Sequence, residues 1–148
     1  MPTRGPEGCP FCAIAAGAAA ADTVLDTPAV VAFLDHRPLF KGHTLVVPRE
    51  HVATLRELDA VLRGELFAAV QDVAAAVQDA TGAAGSFVAL NNVVSQSVPH
   101  LHVHVVPRNR KDGLRGFFWP RQRYDGPEEA EAYAAAIRVA LIGLRSPQ

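Results

Sequence analysis

Polar and apolar positions alternate strictly from His100 to Val105 within His-Leu-His-Val-His-Val-Val. A strand repeats every two residues, so this pattern predicts a β-strand with three imidazoles on one face. Leu101, Val103 and Val105 then point the other way, towards a core. Val24–Asp26, Val30–Asp35 and His43–Val47 read as three earlier strands, the first two joined at Thr27-Pro28 and the third stopped by Pro48. Ser86–Leu90 reads as a further strand before the histidine one. Leu58, Val61, Leu62, Leu66, Phe67, Val70, Val73, Ala74 and Val77 recur at helical spacing and predict a long helix over Asp59–Thr81. Asp59 suits its N-cap and Gly82 its stop. A short helix is expected over Pro10–Gly17, after a loose Pro/Gly-rich segment at 1–8. A final alanine-rich helix is expected over 127–145, with Glu128, Glu129 and Glu131 in its first turn. His36–Gly42 and Asn91–Pro99 read as loops, and 108–126 as a basic, aromatic, irregular stretch.

The order strands, long helix, strands, helix predicts an α+β fold. An antiparallel sheet of about five strands should pack on the long helix, with the last helix beyond it. A chain of 148 residues fits one domain spanning 1–148. Ala69, Ala75 and Ala76 extend the apolar surface of the long helix beyond one face and allow a second packing surface.

Composition narrows the function classes. The chain is 49% hydrophobic and 20% charged, ordinary for a globular protein. A net charge of −1 gives no general pull on nucleic acid, so that partner is not expected. No apolar run is long enough to span a bilayer. The apolar run Ala13–Ala21 lacks Leu and Phe and has only Arg4 before it, a poor signal peptide. The expected compartment is the cytoplasm.

Three histidines on one strand face lie ~6.6 Å apart. Imidazole titrates near neutrality, so one ring can be free to attack while another is charged. Neutral imidazole attacks phosphorus well and leaves readily, which divides one hard displacement into two easier ones. Charge on the phosphoryl oxygens needs donors in place beforehand. The flanking histidines, Ser95, Gln96, Ser97 and loop amides are candidates. The chain has no P-loop and no G-x-G-x-x-G, so a phosphate site must be built this way.

The histidine strand, its lead-in Gln96-Ser97-Val98, Asp35 after an apolar strand and Gly42-His43 opening the next together resemble the histidine triad (HIT) family. The likeness runs from about Cys9 to Arg108. It implies a nucleotide-binding α+β fold, usually a homodimer, that hydrolyses or transfers at the α-phosphate of a nucleotide, here expected to be a purine nucleotide. By position, His102 resembles the nucleophile that forms a nucleotidyl-histidine, with His100 as its support. His104 and His43 resemble phosphate-side partners, and Asp35 the ribose-hydroxyl acceptor. Ser97 and Gln96 resemble donors to the phosphate or leaving group, and Asn91 or Asn92 the phosphate-side asparagine. Nucleoside phosphoramidates and diadenosine polyphosphates are the two substrate branches. Pro107-Arg108 and the basic stretch beyond favour the longer phosphate chains. A divalent cation could neutralise such a chain, although no carboxylate cluster demands one. A uridylyl-transferring relative lacks the third histidine, so His104 argues against that activity.

Cys9-Pro10-Phe11-Cys12 is the second motif. A C-x-x-C pair chelates zinc, but a structural site needs four ligands. The resemblance supplies a set: Cys9, Cys12, His51 and His100, with zinc acting as a structural support. A thiol redox site would follow a strand, and none fits in the eight residues before Cys9. A pair of free buried thiols is the remaining reading. Against the hydrolase stand two alternatives: a non-catalytic interaction protein that binds zinc and nucleotide, and a thiol redox protein. Phe117, Phe118 and Trp119 sit within the basic stretch and could stack on a base or simply anchor the loop.

Overall fold

Five strands pair into one antiparallel sheet in the computed structural model, which describes residues 5–114 and 121–145. They are β1 (Thr23–Asp26), β2 (Val30–Leu34), β3 (Thr44–Pro48), β4 (Gly85–Ala89) and β5 (Val103–Arg108), in the order β1-β2-β3-β5-β4. The helices are α1 (Pro10–Ala15), α2 (Ala60–Thr81) and α3 (Pro127–Arg145). A single 3₁₀ turn at Leu55–Glu57, which the sequence pattern does not reveal, leads into α2. The α+β class and the sheet on a long helix are as the patterning predicts.

Contacts divide the chain into two compact units, Met1–Asp112 and Gly113–Gln148. The sheet, α1 and α2 lie in the first. In the second, the Glu129 carboxylate accepts from the Asp125 amide at 2.6 Å and ties the first turn of α3 to the segment before it. Phe117, Phe118 and Trp119 lie outside the described residues. Among the described residues, no helix is long and apolar enough to cross a membrane.

The two sheet faces carry different loads. On one, Val30, Ala32, Val46, Val103 and Val105 pack against Leu62, Leu66, Ala69, Val70, Val73 and Val77 of α2. Leu66 is fully buried, worth roughly 1.5–3 kcal/mol relative to exposure. On the other, Val31, Phe33, Leu45 and Val47 meet Phe11 of α1. Asp59 caps α2 by accepting from the Leu62 amide at 2.8 Å, and Gly82 ends it in the left-handed region at φ 67°. The helical apolar set is wider than the buried one: Val61 and Phe67 are exposed, whereas Ala69 is in the core and not on a second surface.

The histidine strand begins later than its pattern predicts, at Val103 rather than His100, and runs through Pro107 to Arg108. His100–His102 precede the ladder because their polar groups are spent elsewhere. The Leu101 amide donates to the Val52 carbonyl at 2.7 Å, and the His100 carbonyl is taken by a side chain. The alternation still holds, with Leu101, Val103 and Val105 all on the α2 side.

Candidate active site and metal centre

Register places the site residues. Phe33 pairs with Leu45 and Leu45 with His104, so these three share the face opposite α2. Asp35 continues the β2–β3 ladder, its amide donating to the His43 carbonyl at 2.9 Å. Asp35, His43 and His104 thus form a row across three adjoining segments.

His102 is 3% exposed and its ring lies edge-on to Phe11 (centroids 5.0 Å) and to His104 (5.0 Å). Its Nδ1 lies 2.7 Å from the His100 carbonyl oxygen. A carbonyl only accepts, so Nδ1 carries the proton, and in the neutral ring Nε2 keeps a lone pair. Nε2 has no hydrogen-bond partner among the described residues. His102 lines a cleft of about 330 Å³ together with Asp35, Ser97, His104, Phe11, Phe33 and Val98, among others. An apolar wall of this kind suits a nucleoside base, with the polar groups at one end.

His43 and His104 are hydrogen-bonded, Nε2 to Nδ1, at 2.9 Å. His43 Nε2 is also 3.7 Å from an Asp35 carboxylate oxygen, and its Nδ1 accepts from the Leu39 amide at 3.1 Å. Burial pushes His104 down to about 4, helped by the neighbouring His102 and His43 and opposed by Asp35. Burial likewise lowers His43, against the pull of Asp35. Both rings are therefore neutral at pH 7. Asp35, His43 and His104 each put one ligand atom within 4.8 Å of the others, a spacing that a cation could also use.

Behind the cleft, Cys9, Cys12, His51 and His100 bring one donor atom each within the same 4.8 Å limit. His100 Nδ1 is 3.4 Å from both sulfurs, and His51 Nδ1 is 3.3 Å from Cys12 Sγ. A tetrahedral zinc holds N and S ligands about 3.5 Å apart, so the donor set fits a closed Cys2His2 site. His100 Nε2 donates to the Pro48 carbonyl at 2.8 Å, which leaves Nδ1 to ligate, as such outer partners do. Burial, aided by the adjacent Cys9, raises the Cys12 thiol to about 11, so a bound cation would be needed to hold the thiolate at neutral pH. Cys9 Sγ also caps α1 by accepting from the Cys12 amide at 3.4 Å.

Not every expected residue reaches the cleft. Gln96 ties its loop to the segment after β3: its amide donates to the Ala53 carbonyl at 2.7 Å and accepts from the Val93 amide at 3.0 Å. Asn92 accepts from the Leu55 amide at 2.8 Å, and both Asn91 and Asn92 are exposed and outside the cleft lining. Arg108 is forked onto Asp112, at 2.6 and 3.1 Å, so the nearest cation proposed for longer phosphate chains has a structural partner. Sequence reasoning missed Phe11, Phe33 and Val98 as cleft walls. Phe11 stood inside the cysteine motif and Val98 in the lead-in to the histidines, but neither place spoke of a cleft wall.

The HIT domain model matches residues 16–111. This chain belongs to the HIT family. The HIT protein is 33% identical over 131 residues to the adenosine 5'-monophosphoramidase hnt1 of Schizosaccharomyces pombe, covering 87% of this chain and 95% of that one. A crystal structure of a HIT family member from Bacillus subtilis superposes with a TM-score of 0.83 at 34% identity, over 96% of this chain and 99% of the other. A zinc-bound histidine triad family protein from Mycobacterium smegmatis matches with a TM-score of 0.69 at 32% identity, over 90% of this chain and 97% of that one. The family includes nucleotide hydrolases.

Proposed function

We propose that the chain cleaves nucleotides at the α-phosphate through a nucleotidyl-histidine on His102. The observation that carries this is the His102 Nδ1–His100 carbonyl bond, which leaves Nε2 as a lone-pair donor in a cleft with Asp35, Ser97 and His104. Nε2 attacks phosphorus and forms a P–N bond as the bond to the leaving group breaks. The leaving group departs with a proton from a donor in the cleft, for which Ser97, on the cleft lining, is the candidate. Water then attacks phosphorus, the P–N bond breaks, and the mononucleotide leaves. Asp35 would accept from the ribose hydroxyls, and Phe11, Phe33 and Val98 would hold a purine base.

Nucleoside phosphoramidates are the favoured substrates, with diadenosine polyphosphates as the second branch. The engagement of Arg108 by Asp112 removes much of the case for a long phosphate chain, and the likeness to a monophosphoramidase points the same way. Gln96, Asn91 and Asn92 would act by shaping the loop before Ser97 instead of touching phosphate. Cys9, Cys12, His51 and His100 would hold zinc, which when bound supplies no chemistry beyond fixing the segment ahead of His102. A divalent cation is needed only with a polyphosphate substrate. A homodimer in the cytoplasm is the proposed setting. Edge strand β4 and the exposed Val61 and Phe67 of α2 offer apolar surface for it.

The test is intact-protein mass spectrometry after brief mixing with an adenosine phosphoramidate or a diadenosine polyphosphate. Wild type should show a transient adenylyl adduct and released mononucleotide, and His102→Ala neither. Nucleotide binding without adduct or product from either substrate would leave a non-catalytic zinc and nucleotide binder.

A further inference from the structure

We infer that His43 is a positioning residue which decides the nitrogen of His104 that carries the proton, and so makes His104 a donor to the cleft. The inference deepens the proposed reaction and rests on it only for its kinetic readout.

The argument follows one proton at a time. The Leu39 amide can only donate, and it points at His43 Nδ1 from 3.1 Å. Nδ1 of His43 therefore bears a lone pair, and in the neutral ring the proton sits on Nε2. That Nε2–H faces His104 Nδ1 at 2.9 Å. Two neutral nitrogens at this distance share one proton, so His104 Nδ1 must accept. The proton of His104 is thereby forced onto Nε2. His104 lines the cleft beside His102, whereas His43, 3% exposed, is not among the cleft-lining residues. The two neighbouring rings then present opposite faces to a substrate: a lone pair from His102 and an N–H from His104.

The sign of this arrangement is set against a competitor. The Asp35 carboxylate lies within 4.8 Å of the His104 ligand nitrogen and 3.7 Å from His43 Nε2. A carboxylate facing a neutral imidazole draws a proton to the near nitrogen. Without His43, Asp35 would pull the His104 proton to Nδ1 and leave a lone pair at Nε2, where phosphoryl oxygens would meet repulsion. The Nε2–H of His43, 2.9 Å from His104 Nδ1, reverses that preference. A 2.9 Å N···N contact bridged by a proton also leaves neither nitrogen free for a cation.

The experiment uses the full chain with ¹⁵N-labelled histidine and long-range ¹H–¹⁵N correlation, in wild type, His43→Leu and His43→Gln. Wild type should show His43 and His104 both protonated at Nε2. His43→Leu should move the His104 proton to Nδ1. His43→Gln, whose amide N–H can reach His104 Nδ1, should restore Nε2–H. In turnover, His43→Leu should lower kcat on the order of 10²-fold, the cost of one lost transition-state donor, with KM little changed and partial recovery in His43→Gln. A His104 proton on Nδ1 in wild type overturns the inference, as does an unchanged His104 tautomer in His43→Leu. So does a shift of both rings on adding zinc or magnesium alone, which would make the group a cation site. The wild-type spectrum decides even if a variant fails to fold, and an absent adenylyl adduct with the Nε2–H tautomer intact would instead count against the reaction.

Discussion

The ring of His102 donates from Nδ1 to the backbone carbonyl of His100, two residues earlier in the same chain, at 2.7 Å. The bond fixes ring orientation and tautomer together without any second side chain. It predicts that His102→Asn, whose amide N–H can still reach the carbonyl, folds with a loss of only about 1–2 kcal/mol from the missing ring contacts. Turnover should fall by several orders of magnitude. Urea unfolding and steady-state kinetics check the two halves.

Metal content should depend on the cysteines. Cys12→Ser should purify without stoichiometric zinc, read by elemental analysis, and melt several degrees below wild type. A strong chelator should lower the wild-type Tm towards that of the variant and leave the variant unmoved. Equal melting temperatures with and without chelator would remove zinc from the structure.

Acid should destabilise the fold through His104. Its folded value is about 4 against an ordinary 6.5, so the unfolded chain binds the proton first as pH falls. The contribution is complete above about pH 6.5 and is lost progressively down to about pH 4. His43 is shifted in the same direction. Urea midpoints across this window should slope less in His104→Asn than in wild type.

Phe11 joins the two centres, with its ring 5.5 Å from Phe33, 5.9 Å from His100 and 5.0 Å from His102. Phe11→Ala should cost about 3–5 kcal/mol as a buried aromatic truncation. Turnover should fall beyond the unfolded fraction, because the His102 ring loses its wall. A fall that tracks stability alone would confine Phe11 to packing.

Gly42 has φ +101°, and a Cβ there would lie 2.8 Å from Thr81 Cγ2 of α2. Gly42→Ala should destabilise by about 1–3 kcal/mol. Because His43 follows directly, its contact with His104 should loosen as well. Thermal melts and the histidine spectra described above report both effects.

The strands, α2 and the histidine face were legible because burial on one side of each element writes its period into the sequence. Asp35, Ser97, His102 and His104 do converge on one cleft, and the four metal donors on one point. What stayed hidden depends on backbone groups and on contacts between distant segments. The Leu39 amide and the Pro48 and His100 carbonyls are backbone groups, which no residue letter encodes. Gln96 and Asn92 looked like phosphate-side groups because a side-chain amide offers the same atoms to a ligand as to a backbone, and the backbone at Ala53 and Leu55 took them. Strand β5 starts late for the same reason: alternation shows which way side chains point, but not which carbonyl a side chain will claim.

Position 100 serves two masters through different atoms. Its imidazole faces the cysteine pair, and its carbonyl holds the His102 ring. Every amino acid carries that carbonyl, so the orienting contact survives any replacement that keeps the backbone in place. A metal-free redesign is therefore chemically open. Exchanging Cys9, Cys12, His51 and His100 together for well-packed apolar residues removes the ligands as a set, while the atom that aims His102 stays where it is.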